Sequence, residues 1–554
     1  MPTLSTGQFF AETLEGYGVT HVFIVPAIFQ QAMAAMEKTG ITRVTTHHEM
    51  AAAYMADGYA RAGRKPGICM GQAVGAGNLA AGLRDAYQAG SPVIAISGGP
   101  QPDGRYRYVY QVVDDFPMFT PVTKWNAMVQ RPERLPDLLR QAFRAATTGA
   151  PGPVHLELPG RLGEQVHGEG DFVVLVEELY TRYPAYRLLP DPDAVEKAVA
   201  LLAAAERPVM VVGGGVTASD ARAELVELAE RLSIPVAVTM NGKENIPDDH
   251  PLSLGNVGTY GRRSANQVVA EADLVFFAGS RAGGLTTNNW KLPPPGTPTI
   301  QLDINGEELG RNYPATVGLL GDAKRTLRQM IDASPRTVSR PAWVRHAQDA
   351  LRQWREALAP MLHSDAAPIR PERICREISE FLPKDAILVA DTGHAAIWTG
   401  TMVALTKPGQ RYIRCAGTLG WGFPAAIGAK CAAPARPVLC FTGDGGLCYH
   451  LAELETAARA GINAVILVNN NGALQQVRKG IDTAYGGKQW GRSKEMWVFK
   501  PETNYARVAE DLGCLGIRVE TPGKIRAALE EAFAAGRPAL IDVVTDIDAA
   551  PAWG

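Results

Sequence analysis

The sequence predicts an α/β chain built from about three successive domains. Its 554 residues set the number, at roughly 100–200 residues per domain. Strand-like apolar runs alternate with helical stretches over residues 1–165, and residues 369–545 repeat that organisation. Residues 437–475 then read as a strand, a helix and a second strand. In such a unit both strand ends lie at one edge of a parallel sheet, and that edge is where open α/β sheets bind ligands.

Taken in order, residues 5–18 have the period of an amphipathic helix, with Ser5 or Thr6 as its cap. A strand over 21–25 is closed by Pro26, a helix covers 30–38, and a strand over 42–46 runs into His47-His48-Glu49. An alanine-rich helix over 50–62 follows, then a strand at 68–70, glycine-rich residues 71–77, a helix over 78–89 and a strand over 92–97. Glu49 stands where a strand ends and a helix begins, a usual place for functional groups, although the helix dipole alone favours a glutamate there. His47 and His48 have no metal-ligand companions at useful spacing. Residues 166–189 read as a linker, 190–334 as a middle domain with strands over 208–213, 273–279 and 298–303, and 335–368 as a connecting helix and linker. Gly213-Gly214-Gly215 is not a dinucleotide fingerprint. Asp303, at a strand end, suits a ribose hydroxyl or the cap of a turn equally.

Composition excludes several classes. Hydrophobic content is 46% and charged content 20%, ordinary for a globular protein with large cores. A net charge of −2 argues against a non-specific nucleic-acid binder. No run of about 18 apolar residues is present, so no membrane span is expected, and residues 1–10 lack a signal-peptide pattern. The seven cysteines, Cys69, Cys375, Cys415, Cys431, Cys440, Cys448 and Cys514, contain no CxxC and mostly sit in apolar runs. Buried free thiols in a reducing cytoplasm are the expectation.

The chemistry concentrates in residues 437–475. A strand over 438–441 leads to Gly443-Asp444-Gly445-Gly446, which suits a tight turn. A helical stripe of Leu451, Leu454, Ala457 and Ala458 stops at Gly461, and a strand over 464–468 ends in Asn469-Asn470-Asn471. Asp444 offers a carboxylate, Asn471 an amide oxygen and the chain beyond it a carbonyl. These are hard oxygen ligands for Mg²⁺, which takes its remaining ligands from phosphate or water. Glycines around Asp444 expose N–H groups and admit a diphosphate closely.

The 27-residue spacing from Asp444 to Asn471 resembles the thiamin diphosphate (ThDP) motif. The chain resembles the ThDP-dependent enzyme superfamily in its acetolactate synthase-like / 2-hydroxyacyl-CoA lyase branch. The resemblance implies three doubly wound parallel-sheet domains: pyrimidine-binding (1–165), central (190–334) and diphosphate-binding (369–545). It implies Mg²⁺ on Asp444, Asn471 and the carbonyl of Ala473, with Asn470 as the alternative to Asn471, and a diphosphate against Gly443, Gly445, Gly446, Gly393 and His394. His47-His48-Glu49 resembles the family's His-Glu segment, in which the glutamate meets N1′ of the aminopyrimidine and promotes proton removal from the thiazolium carbon. Residues 416–422 resemble Gly-Thr-Met-Gly-Tyr-Gly, so Leu419 would prop the cofactor's bent shape and the Gly417 carbonyl would hold its 4′-amino group.

Residues 110–124 resemble the segment in which Phe-Gln-Glu leads to Pro-Val-Thr-Lys, which puts Gln111 near the reacting carbon. Arg105 and Arg107, just upstream, could meet an anion or be solvated. Residues 71–78 keep Gly75, Ala76 and Asn78 of the family's cofactor-side loop but not the rest. Residues 25–29 replace a usual Pro-Gly-Gly loop. Arg281 matches a flavin-binding run whose Phe-Asp continuation is missing, so the resemblance leaves FAD, an ADP or CoA moiety, or nothing in the central domain. Arg478-Lys479 and the polar stretch 486–495 would form a lid, with Lys479, Trp490 and Glu495 as substrate contacts. Residues 546–554 would fold over the site or lie loose.

The implied activity is carbon–carbon bond formation or cleavage through a C2 carbanion/enamine, on small substrates: a 2-keto acid or acyl-CoA plus a carbonyl acceptor. An acetolactate synthase-like 2-keto-acid decarboxylating carboligase is favoured. A 2-hydroxyacyl-CoA lyase or oxalyl-CoA decarboxylase relative is the alternative, and an inactive regulatory paralogue is a third. Because the family draws the glutamate and the aspartate from different subunits, a homodimer or homotetramer is expected.

Overall fold

The computed structural model describes residues 3–500 and 502–551. A short strand β1 (Leu4–Ser5) precedes a six-stranded sheet of β2 (His21–Ile24), β3 (Thr42–Thr45), β4 (Gly67–Gly71), β5 (Val93–Gly99), β6 (Trp125–Met128) and β7 (Val154–Pro159). Strand β8 (Glu169–Gly170) returns through the 166–189 segment to pair antiparallel with β1. The central sheet holds β9 (Pro208–Val212), β10 (Val236–Val238), β11 (Ser253–Asn256), β12 (Leu274–Ala278), β13 (Thr299–Asp303) and β14 (Val317–Leu320). The last holds β15 (Ile387–Ala390), β16 (Arg411–Arg414), β17 (Val438–Gly443), β18 (Val465–Asn470), β19 (Leu515–Val519) and β20 (Ala539–Val544). All three sheets are parallel throughout.

The first and last sheets have one topology. Their orders are β3-β2-β4-β5-β7-β6 and β16-β15-β17-β18-β20-β19, so each strand of one has a counterpart in the other. The central order, β11-β10-β9-β12-β13-β14, reverses between β9 and β12, and a ligand crevice opens at such a switch point.

The two like domains dock through counterpart helices, Glu49–Gly63 and Gly422–Ala432. Both are alanine-rich on the contact face, which lets their backbones approach. A Cβ on Gly58 would lie 2.7 Å from the Ala425 carbonyl carbon, and one on Gly428 2.6 Å from that of Met55. The crossing therefore requires glycine on both sides. Trp421 Nε1 donates to Asp57 Oδ2 at 2.9 Å, and the Arg61 guanidinium lies 4.9 Å from the Trp421 ring, so the indole N–H buried at this seam is partnered.

Three local expectations change. Strand β17 runs through Gly443, and Asp444 opens a helix, Asp444–Tyr449, rather than lying in a tight turn. Strand β18 continues through Asn470 because Asn469 and Asn470 pair with Val543 and Val544 of β20. The helix expected around 451–458 begins at Glu453, after a break at His450, whose ring packs edge-on against His48 and Tyr54. Six cysteines are buried as expected, whereas Cys448 is exposed on the Asp444 helix.

Candidate active site

The ends of β17 and β18 meet at the C-terminal edge of the last sheet, where the ladder puts Gly443 opposite Asn469. Asp444 Oδ2 and Asn471 Oδ1 each accept from the Ala473 N–H at 3.1 Å, so two oxygens converge on one point. The carbonyl of Ala473 takes no backbone hydrogen bond among the described residues. Asn470 is committed elsewhere, donating to Asp542 Oδ1 at 2.8 Å and to the Thr503 carbonyl at 3.0 Å. Those bonds turn the Asn470 amide nitrogen toward β20, and the amide oxygen that meets the Ala473 N–H beside Asp444 is that of Asn471. Burial pushes the Asp444 carboxyl up to about 7, against the N–H groups of Gly445, Ala473 and Gly472.

Space beside these oxygens suits an anion. A Cβ on Gly443 would meet nothing within 4 Å, whereas one on Gly445 would come within 2.6 Å of Leu474 and one on Gly446 within 2.8 Å of Asp391 Oδ2. Gly393, at φ +72, precedes the helix His394–Met402. The His394 ring packs 5.2 Å from Trp398, and burial lowers its pKa to about 4, leaving it neutral at pH 7. Among the described residues no group of three His, Cys, Asp or Glu side chains is placed to hold a metal. One carboxylate, one amide oxygen and one carbonyl fit a Mg²⁺ that shares a diphosphate.

Glu49 is the first residue of its helix. His48 Nδ1 accepts from the Met50 N–H at 3.1 Å, so His48 caps that helix. Glu49 is 8% exposed, and its Oε2 accepts from Asn78 Nδ2 at 3.1 Å. A Cβ on Gly71 would stand 3.0 Å from Glu49 Cγ, and one on Gly75 would overlap Oε1. The altered 71–78 loop thus retains what the carboxylate needs, two glycines and Asn78.

Gly417 and Leu419 lie in the loop after β16, the counterpart of Glu49's position after β3. Sequence reasoning missed what fixes this loop. Asp85, fully buried on the helix Ala76–Ala89, accepts from the N–H groups of Ala416 at 2.8 Å, Gly417 at 3.1 Å and Thr418 at 3.2 Å. An aspartate at the inner face of an alanine-rich helix was the available signal. Asp391 likewise accepts from Thr392, Gly420 and Gly422.

Of the lid residues, Lys479 lines a cavity of about 640 Å³ with His394, Gln475, Gln476 and Asp548. Glu495 instead pairs with Arg492 at 2.7 Å, and Trp490 packs edge-on against Tyr485. Neither lines that cavity. Asp548, in the tail after β20, forms an ion pair with Arg478; residues 552–554 lie outside the described residues. Arg105 is paired with Asp114 at 3.5 Å. Gln111 accepts from Arg161 Nη1 at 3.1 Å.

Two like α/β domains docked face to face, with an oxygen set at a sheet edge of one and a fixed glutamate at the matching edge of the other, define the class of ThDP-dependent enzymes. Comparison with known proteins agrees. Residues 4–118 match the thiamine pyrophosphate enzyme N-terminal TPP-binding domain, 195–330 the central domain and 391–543 the C-terminal TPP-binding domain. The chain is 34% identical over 549 residues to a probable acetolactate synthase large subunit of Methanocaldococcus jannaschii, covering 97% of this chain and 91% of that one. It is 32% identical over 528 residues to the corresponding protein of Methanococcus aeolicus, covering 92% and 87%. It is also 32% identical over 551 residues to a glyoxylate carboligase of Escherichia coli O157:H7, covering 96% and 91%. The chain belongs to the ThDP-dependent enzyme superfamily, in its acetolactate synthase-like branch, and is a ThDP-dependent carboligase.

Proposed function

We propose that the protein is a 2-keto-acid decarboxylating carboligase of the acetolactate synthase type, using Mg²⁺ with ThDP. The convergence of Asp444 Oδ2 and Asn471 Oδ1 beside the open face of Gly443 supports the cofactor part of this reading. Asp444, Asn471 and the Ala473 carbonyl would hold Mg²⁺. Gly443, Gly445, Gly446, Gly393 and His394 would border the diphosphate. The Gly417 carbonyl would accept from the 4′-amino group, and Leu419 would support the ring stack. Bound ThDP supplies the electron sink that lets a 2-keto acid lose CO₂ and its acyl carbon join a second carbonyl. Glu49 would exchange a proton at N1′, held in line by Asn78 and the glycine loop. Acid–base help of this kind contributes roughly 10²–10⁴ in rate.

The relatives named for acetolactate synthase and glyoxylate carboligase support small 2-keto acids as substrates. A homodimer or homotetramer is favoured by the exposed strip Tyr106, Tyr108 and Tyr110, at 93%, 101% and 74%. At the central switch point a cavity of about 290 Å³ is lined by Gly213–Gly215, Arg281 and Asp303 together with residues 88–90. Asp303 also caps its own turn, accepting from Asn305 N–H at 2.9 Å. An FAD, ADP or CoA moiety would lie there. Among the described residues no helix is long and apolar enough to cross a membrane, and a cytoplasmic enzyme remains the proposal.

A substrate panel with ThDP and Mg²⁺, read by mass spectrometry, tests the reading. CO₂ and a hydroxy-keto acid from pyruvate or glyoxylate are expected. Formyl-CoA plus an aldehyde or ketone from a 2-hydroxyacyl-CoA, with no turnover of 2-keto acids, would overturn it.

A further inference from the structure

The turn after β7 gathers the substrate-side loops of the first sheet. Gly160 exchanges backbone hydrogen bonds with Gly99 at 2.8 and 3.0 Å. The Arg161 carbonyl accepts from Ala73 at 3.1 Å, and the Leu162 carbonyl from Phe29 at 2.9 Å. Those two contacts reach the two loops, 25–29 and 71–78, that depart from the family pattern, and the second loop packs around the Glu49 side chain.

From this hub the Arg161 side chain reaches Gln111. Its Nη1 donates to Gln111 Oε1 at 3.1 Å, and its guanidinium lies 6.0 Å from the Tyr110 ring. Gln111 has φ +63, a backbone conformation that disfavours non-glycine residues. Its side chain is thereby held toward Arg161 from an unfavourable backbone. Arg161 is half-buried, and its polar partner is an amide oxygen. No ion pair meets its charge among the described residues, unlike Arg105, which faces Asp114. A guanidinium carries five N–H donors in a planar fork, so most of the fork is available to a carboxylate.

We propose that Arg161, oriented by Gln111, anchors the carboxylate of the acceptor 2-keto acid. The inference rests on the reading of the site as a decarboxylating carboligase. The two substrates place opposite demands on a cation. A donor carboxylate leaves as CO₂ and its charge must disperse, so a guanidinium on it would stabilise the starting state and slow that loss. An acceptor keeps its carboxylate into the product, and a fixed cation aligns its carbonyl without that penalty. Arg161 therefore selects an acidic acceptor over a neutral aldehyde.

The test is a competition in one mixture. The holoenzyme receives pyruvate as donor with equal 2-ketobutyrate and propanal, which differ by the carboxylate alone, and the two ligation products are quantified by mass spectrometry. The wild type is expected to favour the acid product. Arg161→Met should lower the acid-to-aldehyde product ratio by about 10- to 100-fold, the range for losing a charged hydrogen-bonded contact. Arg161→Lys should fall between, since it keeps the charge but loses the fork. Gln111→Glu, which gives the guanidinium an ion-pair partner, should lower the same ratio and provides a second test if Arg161→Met does not fold. A ratio within threefold of wild type in these variants, or a wild type with no preference for the acid, overturns the inference alone. No CO₂ from any 2-keto acid in the wild type overturns the underlying reading, and the inference with it.

Discussion

Replacing Asp85 by asparagine should weaken ThDP binding although Asp85 belongs to neither the metal set nor the proton-transfer set. One carboxylate oxygen, Oδ2, accepts from the N–H groups of Ala416, Gly417 and Thr418 and from Cys415 Sγ, and the other accepts from Ala416 at 2.8 Å. Asparagine keeps one acceptor and turns an NH₂ toward this ring of donors. At least one N–H must then lose a partner and face another donor. Hydrogen bonds to a charged group are worth about 1.5–3 kcal/mol each. If the loop carrying Gly417 and Leu419 must be re-ordered by the cofactor, that cost emerges as affinity. At 1.4 kcal/mol per tenfold, the Kd for ThDP should rise roughly 10- to 100-fold. Calorimetric titration of the cofactor-free protein at fixed Mg²⁺ measures it, with circular dichroism to verify folding. A Kd within twofold of wild type in a folded Asp85→Asn protein would show that the loop is held by its own domain, and the reasoning would be wrong.

Three other substitutions separate roles that lie close together. Gly75→Ala should lower turnover by about 10²-fold or more, because its Cβ would overlap Glu49 Oε1, with ThDP affinity read alongside to show that the cofactor still binds. Asn471→Ala should raise the Mg²⁺ concentration needed for half-maximal activity. Asn470→Ala should instead lower the thermal midpoint while leaving the Mg²⁺ dependence near wild type, since Asn470 serves the buried Asp542; the reverse pattern would exchange their roles. Glu157 tests burial. It is fully buried on β7 with both oxygens unpartnered, and burial, reinforced by Asp114, pushes its carboxyl up from 4.5 to about 8. A raised folded-state pKa means that the native state holds the proton after the unfolded chain has released it. Stability attributable to Glu157 is therefore present below pH 4.5 and is lost as pH rises toward 8. Glu157→Gln should flatten that decline in thermal midpoint between pH 5 and 8.5, and parallel wild-type and variant profiles would refute it.

What the sequence determined by itself is chemistry carried by contiguous residues. Gly443-Asp444-Gly445 before a helix, an asparagine run on the next strand, and His48-Glu49 at a strand-to-helix junction are local patterns, because the backbone turns and caps that they need are set within a few residues. The sheet architecture was legible for the same reason, through alternating apolar runs.

Tertiary structure decided the rest. That Asn470 turns its amide nitrogen to Asp542, 72 residues away, follows from the pairing of β18 with β20. Asp85 and Arg161 looked like ordinary surface or helix residues in sequence. Their partners lie 331 and 50 residues off, at Ala416 and Gln111. Gly58 and Gly428 acquired meaning when two helices from opposite ends of the chain crossed through them. Each of these depends on which backbone or charge comes to rest against a side chain, and no local propensity encodes that. It is fixed when three sheets pack and bring distant strand ends to a common edge.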